Sequence, residues 1–331
     1  MKELLVVSAP PYIQGKMNTK LVMRLVIVAL LPSFIFSIYL FGLRVLLITL
    51  VSILASVVCE ALMQKMLGRK ITITDTSAVL TGLLLAFNLP PGVPLWLPAI
   101  GSAFAIIFAK QLFGGLGYNF VNPALAGRAF LMASWPLFMT KAWLVPKGGT
   151  ISGIDGITAA TPLTLIKNPA NFGDPNLIIN RLNDITTIKN LFLGNVGGCI
   201  GETSVLLLLI GGLFLIFMGI VDYRIVIGYL ASFTILAAIL PTHGSVLFHL
   251  FSGGLFLGAF FMATDWVTSP ITRKGKWIFG IGCGVLTIVI RLLGGYPEGV
   301  SYAILLMNVF TTIIDQLTKE RIFGTKTKRA K

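Results

Sequence analysis

Residues 21–41 read LVMRLVIVALLPSFIFSIYLF, and Arg24 is the only charged residue among them. An apolar helix of about 20 residues is long enough to cross the roughly 30 Å hydrocarbon core of a bilayer. Similar blocks recur along the 331 residues, of which 56% are apolar and only 11% charged, with a mean hydropathy of +0.90. The sequence therefore predicts an all-α polytopic membrane protein and excludes a soluble enzyme core and a disordered chain.

About ten membrane spans are predicted from the apolar runs and from the Gly, Pro and charge breaks between them. The blocks at 77–89 and 122–139 are short or glycine-rich, which is typical of the half-helices that line midplane sites in transporters. The predicted spans lie near 21–41, 43–66, 77–89, 95–110, 122–139, 203–221, 225–240, 247–263, 277–293 and 300–317.

The cations indicate how the chain is oriented. The sequence has 26 Lys and Arg against 12 Asp and Glu, a net charge of +14. They cluster beside the apolar blocks, which is the positive-inside pattern of a membrane protein and argues against nucleic-acid binding. The even span count puts both termini in the cytoplasm. The cytoplasmic loop cations on this count are Lys65, Arg69, Lys70, Lys110, Arg224, Arg273, Lys274 and Lys276.

This orientation divides the chain into five parts. They are a cytoplasmic N-terminal segment 1–20, a five-span half 21–139, an external loop 140–202, a second five-span half 203–317 and a basic cytoplasmic tail 318–331.

A weak internal repeat relates the two halves. Residues 81–86 (TGLLLA) precede 112–115 (LFGG), and residues 253–258 (GGLFLG) precede 292–295 (LLGG) in the same order. Because each half has an odd number of spans, a duplication would place the second half upside down relative to the first. We therefore expect two inverted five-helix repeats.

The residues that usually hold metals are scarce. The three cysteines, Cys59, Cys199 and Cys283, lie far apart without CxxC spacing, so neither zinc nor an iron–sulfur cluster is expected. Two histidines are too few for haem groups held by several histidine pairs. The chain also lacks a dinucleotide-binding fingerprint. We predict no metal site and no catalytic residue in this chain alone.

The external loop contains the sequence DGITAATPL at residues 155–163. Gly156 permits a turn, and Pro162 keeps Thr161 out of a helix interior. On composition alone this is a solvated Thr-rich loop, whose small side chains leave a surface that a flat ligand could approach.

The loop resembles the Ser/Thr-Gly-Ala-Thr motif of one family: the D subunit of the Rnf complex and the B subunit of the sodium-translocating NADH:quinone reductase. The last threonine of that motif carries FMN through a phosphoester, and here it corresponds to Thr161. Thr158 and Ala159 replace the commoner Ser and Gly. The short N-terminal segment favours the Rnf subunit. Further blocks similar to the family are KQLFGGLG (110–117), NPALAGRAF (122–130), GETS (201–204), GAFFMATD (258–265), TSP (268–270) and GGYPEG (294–299).

The resemblance implies an FMN-carrying subunit of a ferredoxin:NAD⁺ oxidoreductase that couples electron transfer to Na⁺ or H⁺ translocation across a bacterial or archaeal cytoplasmic membrane. Thr161 would hold the FMN covalently, and Asp155 and Thr158 would belong to its binding loop. A second, non-covalent flavin is conceivable. The ferredoxin and NAD sites would lie on partners: other membrane subunits, a second FMN-carrying subunit, and iron–sulfur and NAD-binding subunits. A separate flavin transferase would attach the FMN, and membrane lipid would surround the spans.

Ionisable residues in or beside spans are functional candidates because inserting each one costs roughly 2.5–3.5 kcal/mol. Arg128 could bind a flavin phosphate or ring carbonyl, or simply reach the interface. Glu202 and Asp265 are candidates for an ion pathway. The alternatives are that Glu202 caps a helix and that Asp265 caps the next helix or pairs with Arg273. Arg24, Glu60 and Arg291 are expected to snorkel to the interface.

Two other functions remain compatible with the sequence. Ten spans with broken helices would also suit a small-solute transporter or channel. The same flavoprotein could instead belong to a Na⁺-translocating, quinone-reducing complex. A transporter would purify colourless, and the electron acceptor would separate the two redox complexes.

Overall fold

The computed structural model describes residues 18–146, 161–167, 174–241, 244–295 and 298–319. Its elements are α1 Thr19–Phe41, α2 Leu43–Met66, α3 Ser77–Phe87, α4 Trp96–Ile106, α5 Pro123–Ser134, α6 Pro136–Lys141, α7 Pro162–Lys167, α8 Pro175–Leu182, α9 Ile185–Leu193, α10 Val205–Phe217, α11 Tyr223–Ile239, α12 Val246–Phe251, α13 Leu255–Leu257, α14 Arg273–Leu293 and α15 Val300–Leu317. A π-helical turn at Ile107–Gln111 continues α4, and another at Gly258–Met262 continues α13. The described chain is thus built from helices, as predicted.

Four helices in the described part of the chain, α1, α2, α14 and α15, are long and apolar enough to cross a membrane. Other predicted spans correspond to shorter helices. Among these, α3 and α5 have 11 and 12 residues, or about 16–18 Å at a rise of 1.5 Å per residue. They can cover only about half of the hydrocarbon core.

Two of the predicted spans are interrupted. The span at 122–139 divides into α5 and α6 because Pro136 restricts the backbone of Trp135, which lies outside both helices. The span at 247–263 divides into α12 and α13 at Gly253, whose φ of +69° is a left-handed conformation that favours glycine. These breaks expose backbone groups that side chains must satisfy.

Close helix packing explains several small residues in the spans. The Ser52 hydroxyl of α2 donates a hydrogen bond of 2.7 Å to the Gly82 carbonyl of α3, and a Cβ on Gly82 would lie 2.8 Å from the Cα of Ile53. In the second half, a Cβ on Gly280 of α14 would lie 2.5 Å from the Ile225 carbonyl of α11. Across the halves, α1 packs against α10 and α5 against α15.

The described part of residues 140–202, the segment predicted to be external, is more regular than the predicted loop. Helices α7, α8 and α9 surround a small core that includes Leu163, Ile166 and Leu191, which packs on Phe248 of α12. Pro162 is the first residue of α7 and Thr161 precedes it, which confirms that Thr161 lies outside a helix interior. The Lys167 ammonium at the other end of α7 donates to carbonyls at the end of α14, which seats this segment on the membrane helices.

Candidate functional site

Arg128 of α5 lies at the centre of a buried polar group that we call the arginine cluster: Arg128, Glu202, Glu298, Asn88 and Cys199. Its guanidinium donates to Asn88 at 2.8 Å and to Glu202 at 3.3 Å, and it makes a short ion pair with Glu298. The Arg128 side chain is only 5% exposed. The alternative that it simply reaches the interface is therefore wrong, and its role toward flavin stays a prediction.

The arginine cluster joins distant parts of the chain. Asn88 ends α3, Arg128 belongs to the first half, Glu202 precedes α10, and Glu298 precedes α15. Gly254 allows Glu202 to approach, since a Cβ there would lie 2.3 Å from the Glu202 Oε1 atom. The Glu202, Glu298 and Cys199 ligand atoms lie within 4.8 Å of one another. This is the spacing of a small metal site, but the Arg128 guanidinium already pairs with both carboxylates.

Glu202 does not cap a helix. The N-cap of α10 is Ser204, whose side chain accepts a hydrogen bond from the Leu207 amide, and Glu202 turns inward to Arg128 instead. The capping interpretation of Glu202 is therefore wrong. Burial first, and then the nearby Glu298 carboxylate, raise the pKa of this loop residue to about 7 against the lowering effect of Arg128.

Thr161 lies beside the arginine cluster. Its hydroxyl is 2.8 Å from the Thr164 hydroxyl and accepts from the Thr164 amide at 3.3 Å. Thr161, Glu202, Thr203 and Glu298 line one small cavity of about 20 Å³. The Thr203 hydroxyl is buried without a hydrogen-bond partner among the residues that the structure describes. The cavity has room for roughly one water molecule, so it could take a phosphate oxygen but not a flavin ring.

A second buried group, the lysine cluster, lies at the other end of α3. It consists of Lys110, Glu60, Gln111 and Ser77. The Lys110 ammonium donates to Glu60 at 2.9 Å and to Ser77 at 2.7 Å, and Gln111 donates to Glu60 at 2.8 Å. The sequence predicts Lys110 in a cytoplasmic loop and a snorkelling Glu60. Both predictions are wrong, because the π-helical turn carries Lys110 into the protein beside Glu60.

The lysine cluster borders a larger cavity of about 380 Å³. Its walls are mostly apolar and include Phe260 and Phe261 from the second π-helical turn, with polar groups from Lys110, Asn122 and Asp265. π-Helical turns occur frequently at functional sites. Its size lies within the range of small-molecule sites, about 300–1,000 Å³.

Asp265 accepts a hydrogen bond from the Thr268 hydroxyl at 3.1 Å within the turn that follows the π-helical segment. The N-cap of α14 is Thr272, and Asp265 makes no ion pair within 4 Å among the described residues. Both structural interpretations of Asp265, capping of α14 and pairing with Arg273, are therefore wrong. Its ion-pathway role stays a prediction.

Arg291 does not snorkel. It is buried near the end of α14 and donates to the carbonyls of His249 and Ser252 at 2.6 and 2.9 Å. These carbonyls lie at the break between α12 and α13, where helical hydrogen bonding is lost. Of the residues predicted in the flavin loop, Asp155 and Thr158 lie outside the described residues.

Sequence reasoning misses several members of these clusters, including three that can carry charge or bind a metal. It assigns no role to Glu298, treats Cys199 as a bystander and counts Lys110 as a loop cation. The signal that could reveal the carboxylates is Arg128 itself, because an arginine buried among helices requires nearby anionic partners. The sequence does not show which carboxylates these are, since they lie more than 70 residues from Arg128 along the chain.

The loss of charge at Glu60 tests the lysine cluster. We expect Glu60→Gln to lower the stability of the detergent-solubilised protein by about 1–3 kcal/mol, because Lys110 loses its anionic partner while the amide keeps one acceptor. Thermal unfolding followed by size-exclusion chromatography measures this effect. Lys65→Gln, an exposed change on the same helix, is the control and should shift stability by less than about 0.5 kcal/mol. Equal melting temperatures for the two variants would contradict the assignment of Glu60 as the anionic partner of Lys110.

Taken together, these features define a helical membrane protein whose two halves are joined by buried ion pairs. The model of the NQR2, RnfD, RnfE family matches residues 6–324, and the chain belongs to this family.

Its relatives belong to ion-translocating redox complexes. The chain is 49% identical over 331 residues to the D subunit of the Na(+)-translocating ferredoxin:NAD(+) oxidoreductase complex of Acetobacterium woodii, covering 99% of both chains. It is 44% identical to the proton-translocating counterpart of Clostridium ljungdahlii, over 98% of both chains. It is 41% identical to the D subunit of the ion-translocating oxidoreductase complex of Stutzerimonas stutzeri, over 92% of this chain and 91% of the relative.

Proposed function

We propose that this chain is the FMN-carrying membrane subunit of an Rnf-type ferredoxin:NAD⁺ oxidoreductase complex and that it passes electrons in a process coupled to Na⁺ or H⁺ translocation. The main supporting observation is the setting of Thr161. Its hydroxyl precedes α7 and borders a cavity lined also by Thr203, whose hydroxyl has no hydrogen-bond partner in the described part of the chain. Two hydroxyls at one small cavity suit a phosphoester anchor at Thr161, with Thr203 as a hydrogen-bond donor to its phosphate.

FMN bound there would supply one-electron and two-electron chemistry. The residues of this chain would supply its position. Thr161 would hold the phosphate, α7 would fix Thr161 through the Lys167 contacts with α14, and the arginine cluster would form the buried wall. Asp155 and Thr158 would complete the loop. Arg128 would have to exchange one of its present partners to bind the phosphate directly.

The test uses the complete chain coexpressed with a flavin transferase. After purification and denaturation in SDS, we expect a fluorescent band and a peptide containing Thr161 that is heavier by the mass of the attached FMN. A colourless protein under these conditions would refute the covalent-flavin proposal and favour the transporter. Electron transfer to quinone instead of NAD⁺ by the assembled complex would favour the quinone-reducing alternative.

The cavity of about 380 Å³ is our proposed site for the second, non-covalent flavin. Its apolar walls suit a flat ring system, and Asn122 and Lys110 offer polar groups to the ring edge. The same preparation tests this assignment, because denaturation should release this flavin into the supernatant while the covalent FMN stays on the chain. Absence of flavin from the supernatant would contradict it.

We propose that Glu202 and Asp265 belong to the ion pathway. Each is a carboxylate at a cavity wall, and the arginine and lysine clusters beside these cavities lie at opposite ends of α3. The relatives at 49% and 44% identity are named for Na⁺ and for protons, respectively. Overall sequence similarity therefore does not determine which ion is transported. Individual carboxylates such as Glu202 and Asp265 are suitable determinants of the transported ion.

The raised pKa of Glu202 gives a measurable consequence. Since the pKa is about 7, the carboxyl should be protonated below that pH and ionised above it. Infrared difference spectra between pH 5 and pH 9 should show a protonated-carboxyl band that disappears with a midpoint near 7. Glu202→Gln should lack this band. Persistence of the band in that variant, or a midpoint near 4.5, would assign the titration elsewhere.

We further propose ten spans in two inverted repeats. The packing supports this, because α2 packs on α4 in the first half as α11 packs on α14 in the second, and α4 packs on α5 as α14 packs on α15. The termini would be cytoplasmic, and α7 to α9 external. The remaining Rnf subunits would supply the ferredoxin, iron–sulfur and NAD sites, and a flavin transferase and membrane lipid would be further partners.

A further inference from the structure

Arg291 is a buried cation that makes no ion pair within 4 Å in the part of the chain that the structure describes. The buried cations of this part are Lys110, Arg128 and Arg291. Lys110 pairs with Glu60, and Arg128 pairs with two carboxylates. Arg291 instead contacts two backbone carbonyls and stacks over the Phe233 ring at 4.9 Å.

The contacts of Arg291 hold it in place without an ion pair within 4 Å among the described residues, and the Glu298 and Glu202 carboxylates act on its charge only from a longer distance. Its Nε atom is buried and has no hydrogen-bond partner within the described ranges. An unpaired charge within membrane helices is costly and is a functional candidate for that reason. The two carbonyl contacts explain how the break after α12 is stabilised. They do not explain why a full positive charge is kept there, since a neutral donor could serve both carbonyls.

The guanidinium lies close to the wall of the Thr161 cavity. A Cβ built on Gly253 would lie 3.2 Å from the Nη2 atom of Arg291 and 2.7 Å from the side chain of Leu163. Gly253, Leu163 and Thr161 all line that cavity. The C-terminal end of α7 also contacts the backbone of Arg291, because the Lys167 ammonium donates a hydrogen bond of 3.2 Å to the Arg291 carbonyl.

We propose that Arg291 supplies the positive charge that compensates the negative charge of a flavin anchored at Thr161. The phosphodiester is an anion in every redox state, and reduction of the ring adds further negative charge. Glu202 and Glu298 face the same cavity, and the single charge of Arg128 is paired to both of them. An anionic phosphate there would add to an excess of negative charge, and Arg291 is the other buried cation of the described residues that lies near this cavity. This inference rests on the proposed function. It predicts that removal of the charge makes the attached flavin harder to reduce.

The test compares Arg291→Gln and Arg291→Lys in the full chain coexpressed with the transferase. Two quantities are measured: the FMN content per chain, from fluorescence and peptide mass, and the midpoint potential of the attached FMN. For Arg291→Gln we expect either a potential shifted to a more negative value or a folded chain that no longer loads FMN. Arg291→Lys should retain FMN and shift the potential less.

If Arg291 had only a structural role, its replacement would not change the midpoint potential of the attached FMN. The variant Thr287→Val is the control for a loss of stability alone. Thr287 lies one turn before Arg291 and shares a hydrogen bond of 2.7 Å with Tyr229 between α14 and α11. We expect this variant to melt earlier but to keep the parent potential. An Arg291→Gln chain with the parent's FMN content and potential would overturn the inference alone. A parent chain without FMN on Thr161 would overturn the proposed function, and the inference with it.

Discussion

Thr161→Ala is expected to abolish covalent flavin on this chain. The ester requires the Oγ1 atom of Thr161, and alanine has no oxygen to replace it. The SDS-denatured variant, coexpressed with a flavin transferase, should therefore show no in-gel fluorescence, and its loop peptide should have the unmodified mass. The folded protein should lose only about 1 kcal/mol, since the hydroxyl has a modest hydrogen-bonding role with Thr164.

The matched control is Thr164→Ala, which removes the hydroxyl that contacts Thr161 at 2.8 Å. This variant should remain fluorescent, because the acceptor at position 161 is intact. Fluorescence that survives Thr161→Ala would place the attachment at another residue. Loss of fluorescence from the Thr164 variant with retention in the Thr161 variant would assign the ester to Thr164.

The helical membrane class and most helix positions could be read from the sequence because apolar blocks of membrane length leave few alternatives. The bounds of α1, α2 and α15 differ from the predicted spans by no more than two residues. Pro162 likewise sets the start of α7 through local geometry. Local rules and the hydropathy pattern are therefore sufficient for this part of the prediction.

The site was less predictable because burial of charge depends on the tertiary contacts. Glu60 and Arg291 lie toward helix ends, where long side chains usually reach the interface. The structure gives them buried partners instead: Lys110 from a π-helical turn, and carbonyls from a helix break. Neither a π-helical turn nor a backbone carbonyl at a break has a clear sequence pattern. The sequence suggests a helix-capping role for Glu202 for the same reason, because its partner Arg128 lies 74 residues away along the chain.

Arg128→Leu should cost about 3–5 kcal/mol of stability, because it leaves the buried Glu202 and the partly buried Glu298 carboxylates without their cation. Thermal unfolding of the detergent-solubilised chain measures the loss. Arg128→Lys keeps the charge but cannot bridge both carboxylates with a planar fork, so it should melt between the parent and Arg128→Leu. Adding Glu202→Gln and Glu298→Gln to Arg128→Leu should recover much of the loss, since none of the three positions then carries an unpaired charge. If the triple variant melts no later than Arg128→Leu, packing of the arginine side chain, rather than charge compensation, stabilises the contact between the halves.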